Sequence, residues 1–226
     1  MHISPIAHFR SPFKSKFGIP RQSGLATSVA GEIVMHSDYC NPDFVRGLED
    51  FDYVWLIWGF SGNKRETANA TVRPPLLGGN TRVGVFATRS PFRPNKLGLS
   101  SVRLSEIVQK NGETVIRVLG ADLMDGTPIY DIKPYLSYVD SHADARCGFV
   151  DTHQWHELTV VIPQDIEKQI SSDDLEAIKK VLALDPRPQT QTETDKLFGM
   201  PYGCYDVRFK VSGDTLTVVE LVENQD

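Results

Sequence analysis

Apolar and polar positions alternate from His2 to Phe9, which predicts a first strand closed off by Ser11-Pro12. A polar loop, KSKFGIPRQSGL, follows, and Gly31 to His36 reads as a second short strand. Asn41-Pro42-Asp43 is turn chemistry that can also start a helix, so Phe44 to Leu48 reads as one or two helical turns. The run FDYVWLIWGF, Phe51 to Phe60, is nearly continuous in apolar and aromatic residues but too short and too β-rich for a helix. It predicts a strand buried on both faces, or one with a face turned to a partner subunit; core packing outweighs an aromatic ligand box. Arg82 to Thr88 (RVGVFAT) alternates as a strand, and Leu99 to Gln109 with Glu113 to Leu119 forms a hairpin about Asn111-Gly112. At least six strands therefore precede residue 120, with no long helical period between them. The expected fold is mainly β, an antiparallel barrel-like domain, and a doubly wound (Rossmann) sheet is disfavoured.

The second half reads differently. Asp125-Gly126 makes a turn before a short strand rich in charged and aromatic residues, and Ser141 to Thr152 reads as a linker. His156 to Ile162 is then a strand, Pro163 to Ile170 a helix, and Ser172 to Leu184 a second helix, capped by Ser172 with Leu175, Ile178 and Leu182 on one face. Asp185-Pro186-Arg187-Pro188 stops that helix. Tyr202 to Val211 and Thr215 to Val222 flank Ser-Gly-Asp as a closing hairpin. The expected organisation is a β-barrel domain over 1–140 and a small C-terminal α+β domain over 150–226.

A chain of 226 residues with 40% hydrophobic composition can build such cores. The three cysteines, Cys40, Cys147 and Cys204, are scattered without a metal or disulfide spacing, which fits a reducing compartment. Neither a signal peptide nor a membrane span is evident, so a soluble cytoplasmic protein is expected. Charge sharpens the picture. From Lys64 to Arg103, eight Lys and Arg face only Glu66, a balance of +7 in a chain of net −5, so the remainder carries −12. That concentration reads as a surface for an anionic partner, with phosphates the obvious candidates.

No nucleotide-binding glycine fingerprint, nucleophile elbow or H-E-x-x-H occurs, and His153-x-x-His156 with Cys147 lacks the ligand set of a zinc site, so no metal is expected. Three clusters carry chemistry. Arg73-Pro74-Pro75 with Gly78-Gly79-Asn80 joins a stiff turn to a permissive one. Thr88 to Asn95 (TRSPFRPN) fixes two arginines and an asparagine between prolines, limiting the entropy lost when they grip a carboxylate, phosphate or base edge. Asp122 to Lys133 gathers three carboxylates and a lysine near a turn, suited to ribose hydroxyls, an amino group or proton transfer. Ion-pair networks stiffening loops at a barrel mouth would look alike at any one cluster, but three in one half-chain favour a functional site.

Pro20-Arg21-Gln22, the run TVRPPLLGGNTRVGVFATRSPFRPNKLGLS, the run DGTPIYDIKPY and the late Asp-Pro-Arg-Pro together resemble the TsaA-like (TrmO) family of bacterial tRNA methyltransferases, in family order and from residue 11 to past 205. The resemblance implies a non-Rossmann β-barrel methyltransferase domain with a small C-terminal domain, acting as a homodimer with S-adenosylmethionine. The reaction it implies is methylation of N6 of threonylcarbamoyladenosine at position 37, in the tRNA anticodon loop. Carried onto this chain, it suggests a cofactor site lined by Pro20, Arg21, Gln22, Ser61, Gly62, Arg89, Gly98, Leu99 and the turn Leu123, Met124, Asp125, Gly126, Thr127. Arg73, Arg93, Asn95, Lys133 and Arg187 are the candidates for holding the RNA loop or the threonyl carboxylate, and Phe92 or Tyr135 could stack on a base. One departure stands out: Ser61-Gly62 occupies the place of the family's His-Gln pair, leaving backbone contacts to do that pair's work. In-line displacement without a metal is expected, with Asp122, Asp125, Asp131, Tyr135 or solvent taking the proton. The candidate catalytic groups are thus Asp125, Asp131 and Tyr135, beside Asp122. Two other readings remain open: a non-catalytic barrel that binds an RNA loop or anionic ligand, and a methyltransferase acting on a different amine.

Overall fold

Small and apolar side chains at every second position allow six strands to close on themselves. In the computed structural model, which describes residues 2–63, 67–153, 155–188 and 196–223, these are β1 (Ala7–Arg10), β2 (Ala30–Met35), β3 (Tyr53–Gly59), β6 (Leu97–Lys110), β7 (Glu113–Leu119) and β8 (Thr127–Pro134). A two-stranded ribbon of β4 (Thr71–Val72) and β5 (Val83–Gly84) lies between the third and fourth of them in sequence. The barrel order is β1-β2-β7-β6-β3-β8, antiparallel throughout, and Ala7 opposite Ile129 completes the ring. Phe9, Ile33, Val54, Leu56, Val102, Ile116, Val118 and Ile129 point inward and are almost wholly buried. Burying each such side chain contributes about 1.5–3 kcal/mol against leaving it exposed.

A second, four-stranded sheet follows: β9 (Thr159–Val161), β10 (Phe198–Tyr202), β11 (Tyr205–Ser212) and β12 (Thr215–Glu223), in the order β10-β11-β12-β9 with β9 parallel to β12. Among the described residues there are three α-helices: α1 (Ser137–Asp140) and α2 (Gln164–Glu167), each a single turn, and α3 (Ser172–Ala183). Ala177, Ile178, Val181 and Leu182 of α3 pack onto the sheet's buried Met200, Val207, Phe209 and Leu216. This core also takes in Phe13, Ala26 and Val29, with Phe17 and Ile19 against it, so the loop between β1 and β2 is packed into the second core. The Gly203 N–H donating to the Pro12 carbonyl at 2.8 Å ties the two segments directly.

Several local expectations need correction. The alternating segment 82–88 pairs only at Val83–Gly84 and then turns as a 3₁₀ helix, Val85–Ala87. Residues 44–48 hold no α-helix; short 3₁₀ turns, Pro42–Phe44 and Leu48–Asp50, stand on either side. Strand β3 is not buried on both faces: Val54, Leu56 and Trp58 point inward while Tyr53 is exposed and Trp55 and Ile57 are half-buried. The cap of α3 is Ser171, whose Oγ accepts from Asp174 N at 3.2 Å, because a side chain three residues ahead reaches that N–H and its neighbour Ser172 does not. Lys64, Arg65 and Glu66 of the basic stretch lie outside the described residues.

Candidate active site

One end of β3 and the start of β6 form the floor of a cavity of about 660 Å³, within the range of small-molecule sites. The two strands can approach there because Gly98 stands opposite Trp58; a Cβ on Gly98 would lie 2.3 Å from the indole. The indole Nε1–H donates to Ser100 Oγ at 3.0 Å, and Ser100 Oγ donates to Asp122 Oδ1 at 2.6 Å. A register shift between Ile57 and Trp58 on the β8 side marks the point where the wall bends, as bulges beside sites do.

Asp122 is the cavity's acid among the described residues. Burial pushes its carboxyl above the usual carboxylate range; the Ser100 hydroxyl and the nearby Arg89 oppose this without cancelling it. Opposite stands a cationic rim of Lys16, Arg21, Arg89 and Arg93. Arg89 Nη1 donates to Gln22 Oε1 at 2.5 Å, and Gln22 Nε2 donates to the Arg21 carbonyl at 2.5 Å, so the rim is wired from side to side. Arg93 Nη2 donates to the Thr88 carbonyl at 3.1 Å and braces the loop that carries Arg89.

Of the residues singled out in the sequence, the structure brings Pro20, Arg21, Gln22, Ser61, Gly62, Arg89, Arg93, Gly98, Leu99, Asp122, Met124 and Thr127 to this one cavity. It does not bring the others. Leu123 is buried in the barrel core, and Gly126 makes a left-handed turn whose N–H donates to the Phe9 carbonyl. Asp125 accepts from Ser11 N at 2.9 Å and pairs with Lys14 at 2.9 Å. Burial alone would raise its pKa, but those partners outweigh it and hold the group below the ordinary range. Asp131 pairs with Lys133 at 3.1 Å outside the cavity, Tyr135 packs at a tilt of 47° against Trp55 with ring centroids 5.6 Å apart, and Arg73 and Asn95 are exposed. Arg187 is turned back on Asp185.

Sequence reasoning missed Asn63, Ser100 and the role of Trp58. Asn63 lines the cavity, and its Nδ2 is buried with no acceptor among the described residues. A donor left in that state costs about 1–3 kcal/mol unless a ligand or a water supplies the acceptor. Ser100 had a signal in the sequence: a polar residue at the inward parity of a strand that buries Val102. Gly62 leaves room for the ends of two flexible side chains, since a Cβ there would lie 2.9 Å from Met124 Cε and 3.0 Å from Lys16 Cε. The resulting set suits S-adenosylmethionine: cations for its carboxylate, Asn63 for one further acceptor, and Trp58, Phe60 and Leu97 for apolar surface, with the acid Asp122 beside them.

Two family models match the chain, the tRNA-methyltransferase O N-terminal domain over residues 8–141 and the TrmO C-terminal domain over 156–224. The chain is 40% identical over 215 residues to the tRNA (adenine(37)-N6)-methyltransferase of Escherichia coli (strain K12), covering 92% of each. It is 37% identical over 214 residues to a Pseudomonas aeruginosa protein named "Putative S-adenosylmethionine-dependent methyltransferase RcsF", covering 92% of this chain and 91% of that one. A crystal structure of TrmO from P. aeruginosa superposes with a TM-score of 0.80 at 31% identity, covering 99% of this chain and 97% of that one.

Proposed function

Because this chain belongs to the TrmO family of tRNA methyltransferases, we propose that it uses S-adenosylmethionine to methylate N6 of the adenine at position 37 of tRNA, with threonylcarbamoyladenosine as the acceptor. The observation that supports this most directly is the cavity itself: four distant segments converge on a cationic rim, a buried acid and an orphaned amide donor. Bound S-adenosylmethionine supplies an electrophilic methyl group on a sulfonium sulfur, which a nitrogen can displace in line. Arg89, held by Gln22, and Lys16 would hold the cofactor carboxylate, and Asn63 would donate to a second polar atom. Asp122 would take up the proton that the acceptor nitrogen loses. Its raised pKa makes it a better acceptor than an ordinary carboxylate, and the Ser100 hydroxyl keeps it aimed. Asp125, Asp131 and Tyr135 are engaged elsewhere, so the proton role passes to Asp122.

Exposed Arg73, Asn95 and Lys133 make the RNA side, meeting the phosphates of the anticodon loop. Two copies of the chain pair through the exposed apolar outer surface of Tyr53, Leu99, Tyr138 and Val139 beside the cavity. The working compartment is the cytoplasm, where tRNA is modified. To test the reading, the protein is incubated with S-adenosylmethionine and tRNA carrying or lacking threonylcarbamoyl at position 37, and the digested nucleosides are weighed by mass spectrometry. One added methyl on threonylcarbamoyladenosine is expected. Cofactor binding without transfer to either tRNA would leave a binding module instead, and transfer indifferent to threonylcarbamoyl would point to another amine.

A further inference from the structure

The second unit reaches the cavity through a chain of contacts that the reaction itself does not require. Helix α3 is followed by Leu184 and Asp185, whose N–H groups close on carbonyls of its last turn. Their own carbonyls face away, at the electronegative end of the helix. Arg21 of the cavity loop caps both, with Nη1 at 2.5 Å from the Leu184 carbonyl and Nη2 at 2.7 Å from that of Asp185. Its guanidinium also lies 3.7 Å from the centroid of the Trp155 ring. Three groups from the C-terminal half thus hold one side chain of the N-terminal half.

Asp185 itself sits at φ +50, a left-handed conformation that glycine usually supplies after a helix. A side chain there is costly unless something holds it. Arg187 does so. Its Nε donates to Asp185 Oδ1 at 2.8 Å and its Nη2 to Oδ2 at 2.9 Å, while its backbone N–H donates to Oδ1 at 3.2 Å. The two side chains are only 14% and 20% exposed. Two of the five N–H donors of the Arg187 guanidinium, and its charge, are committed to Asp185.

We propose that the Asp185–Arg187 turn is a positioning device for the cofactor loop: Arg187 holds Asp185, the helix end and Trp155 hold Arg21, and Arg21 sets Gln22 and through it Arg89. The inference rests on the reading that this cavity takes S-adenosylmethionine. It reassigns Arg187 from holding RNA to holding protein, and it gives the C-terminal unit a part in cofactor binding.

The test uses the full chain with Arg187→Ala and Arg187→Lys, and Trp155→Ala as an approach to Arg21 from the other side. Cofactor affinity is read by calorimetry, amide exchange by mass spectrometry, and tRNA affinity as a function of salt. A single positive charge cannot replace the bidentate grip, so both Arg187 variants are expected to weaken S-adenosylmethionine binding about tenfold. Exchange should quicken at residues 19–23 while α3 and β6 stay protected, which separates a loosened loop from a chain that fails to fold. Trp155→Ala should act in the same direction, and the salt slope of tRNA binding should not change. The proposal is overturned if Arg187→Ala lowers that slope, Arg187→Lys restores it, and cofactor affinity holds throughout. Should the unaltered chain not bind S-adenosylmethionine at all, the cofactor reading falls, and the exchange at 19–23 still decides whether the turn holds the loop.

Discussion

Gly98 and Asp122 show how single residues set this site. Gly98 is needed for its missing side chain, since Trp58 occupies the space a Cβ would take. Gly98→Ala should therefore cost about 1–3 kcal/mol in denaturant unfolding, with a shift in tryptophan emission as the indole leaves Ser100. Asp122 carries a charge in a place that disfavours it. Its folded pKa is raised above the unfolded value, so stability is fullest below the ordinary carboxylate range and declines as pH rises through the raised value. Asp122→Asn should accordingly melt above the unaltered protein at pH 8, with the gap closing towards pH 4, while methyl transfer falls about 10²-fold. A lower melting temperature at pH 8 would mean that the charge is fully compensated. Asp125 has the opposite sign: its depressed pKa gives stability above the ordinary range that is lost as pH falls. The sequence places these acids three residues apart and alike in chemistry. Closure of the barrel separates them, since Asp122 reaches Ser100 across the floor and Asp125 meets Lys14 outside it.

Among the elements, α3 was readable from its apolar spacing, and its cap offers a clean measurement. Ser171→Ala should cost about 1 kcal/mol and Ser172→Ala a few tenths in thermal or denaturant unfolding, since only Ser171 accepts from Asp174 N. The barrel strands were readable too, because alternation reports a half-buried pleat. Segment 82–88 alternates as well, yet pairs over two residues before Phe86 swings out to 80% exposure. A strand needs a neighbour, and alternation cannot show whether one is there. The opposite error hid in β3, where Trp55 and Ile57 on the outer face are as apolar as the core because they line the cavity. Burial in a ligand site and burial in a core leave the same composition.

At the scale of the whole molecule, the described cations of the 64–103 stretch fall in two places. Arg89 and Arg93 stand at the cavity, while Arg73 is exposed beyond it. Arg73→Ala should weaken tRNA binding evenly across sequences and reduce its salt slope by about 1, leaving cofactor affinity intact. Arg93→Ala should affect both ligands, because its contact with the Thr88 carbonyl braces the Arg89 loop. Sedimentation across a concentration series, with and without Leu99→Asp, checks the expected pairing of two copies.

What the sequence determined alone was local: the periodicity of strands and of α3, the turn residues between them, the absence of a nucleotide-binding fingerprint, and the kinds of side chain available. Those follow from backbone sterics and from neighbours a few residues apart. Only the tertiary structure decided which of those side chains meet. Arg21 lies 163 residues from the Leu184 carbonyl it caps, and Ser100 lies 22 residues from Asp122. Their pairing depends on barrel closure, on strand register and on the docking of the 13–29 loop into the second core. Packing over the whole chain sets those relations, and no short window of residues contains them.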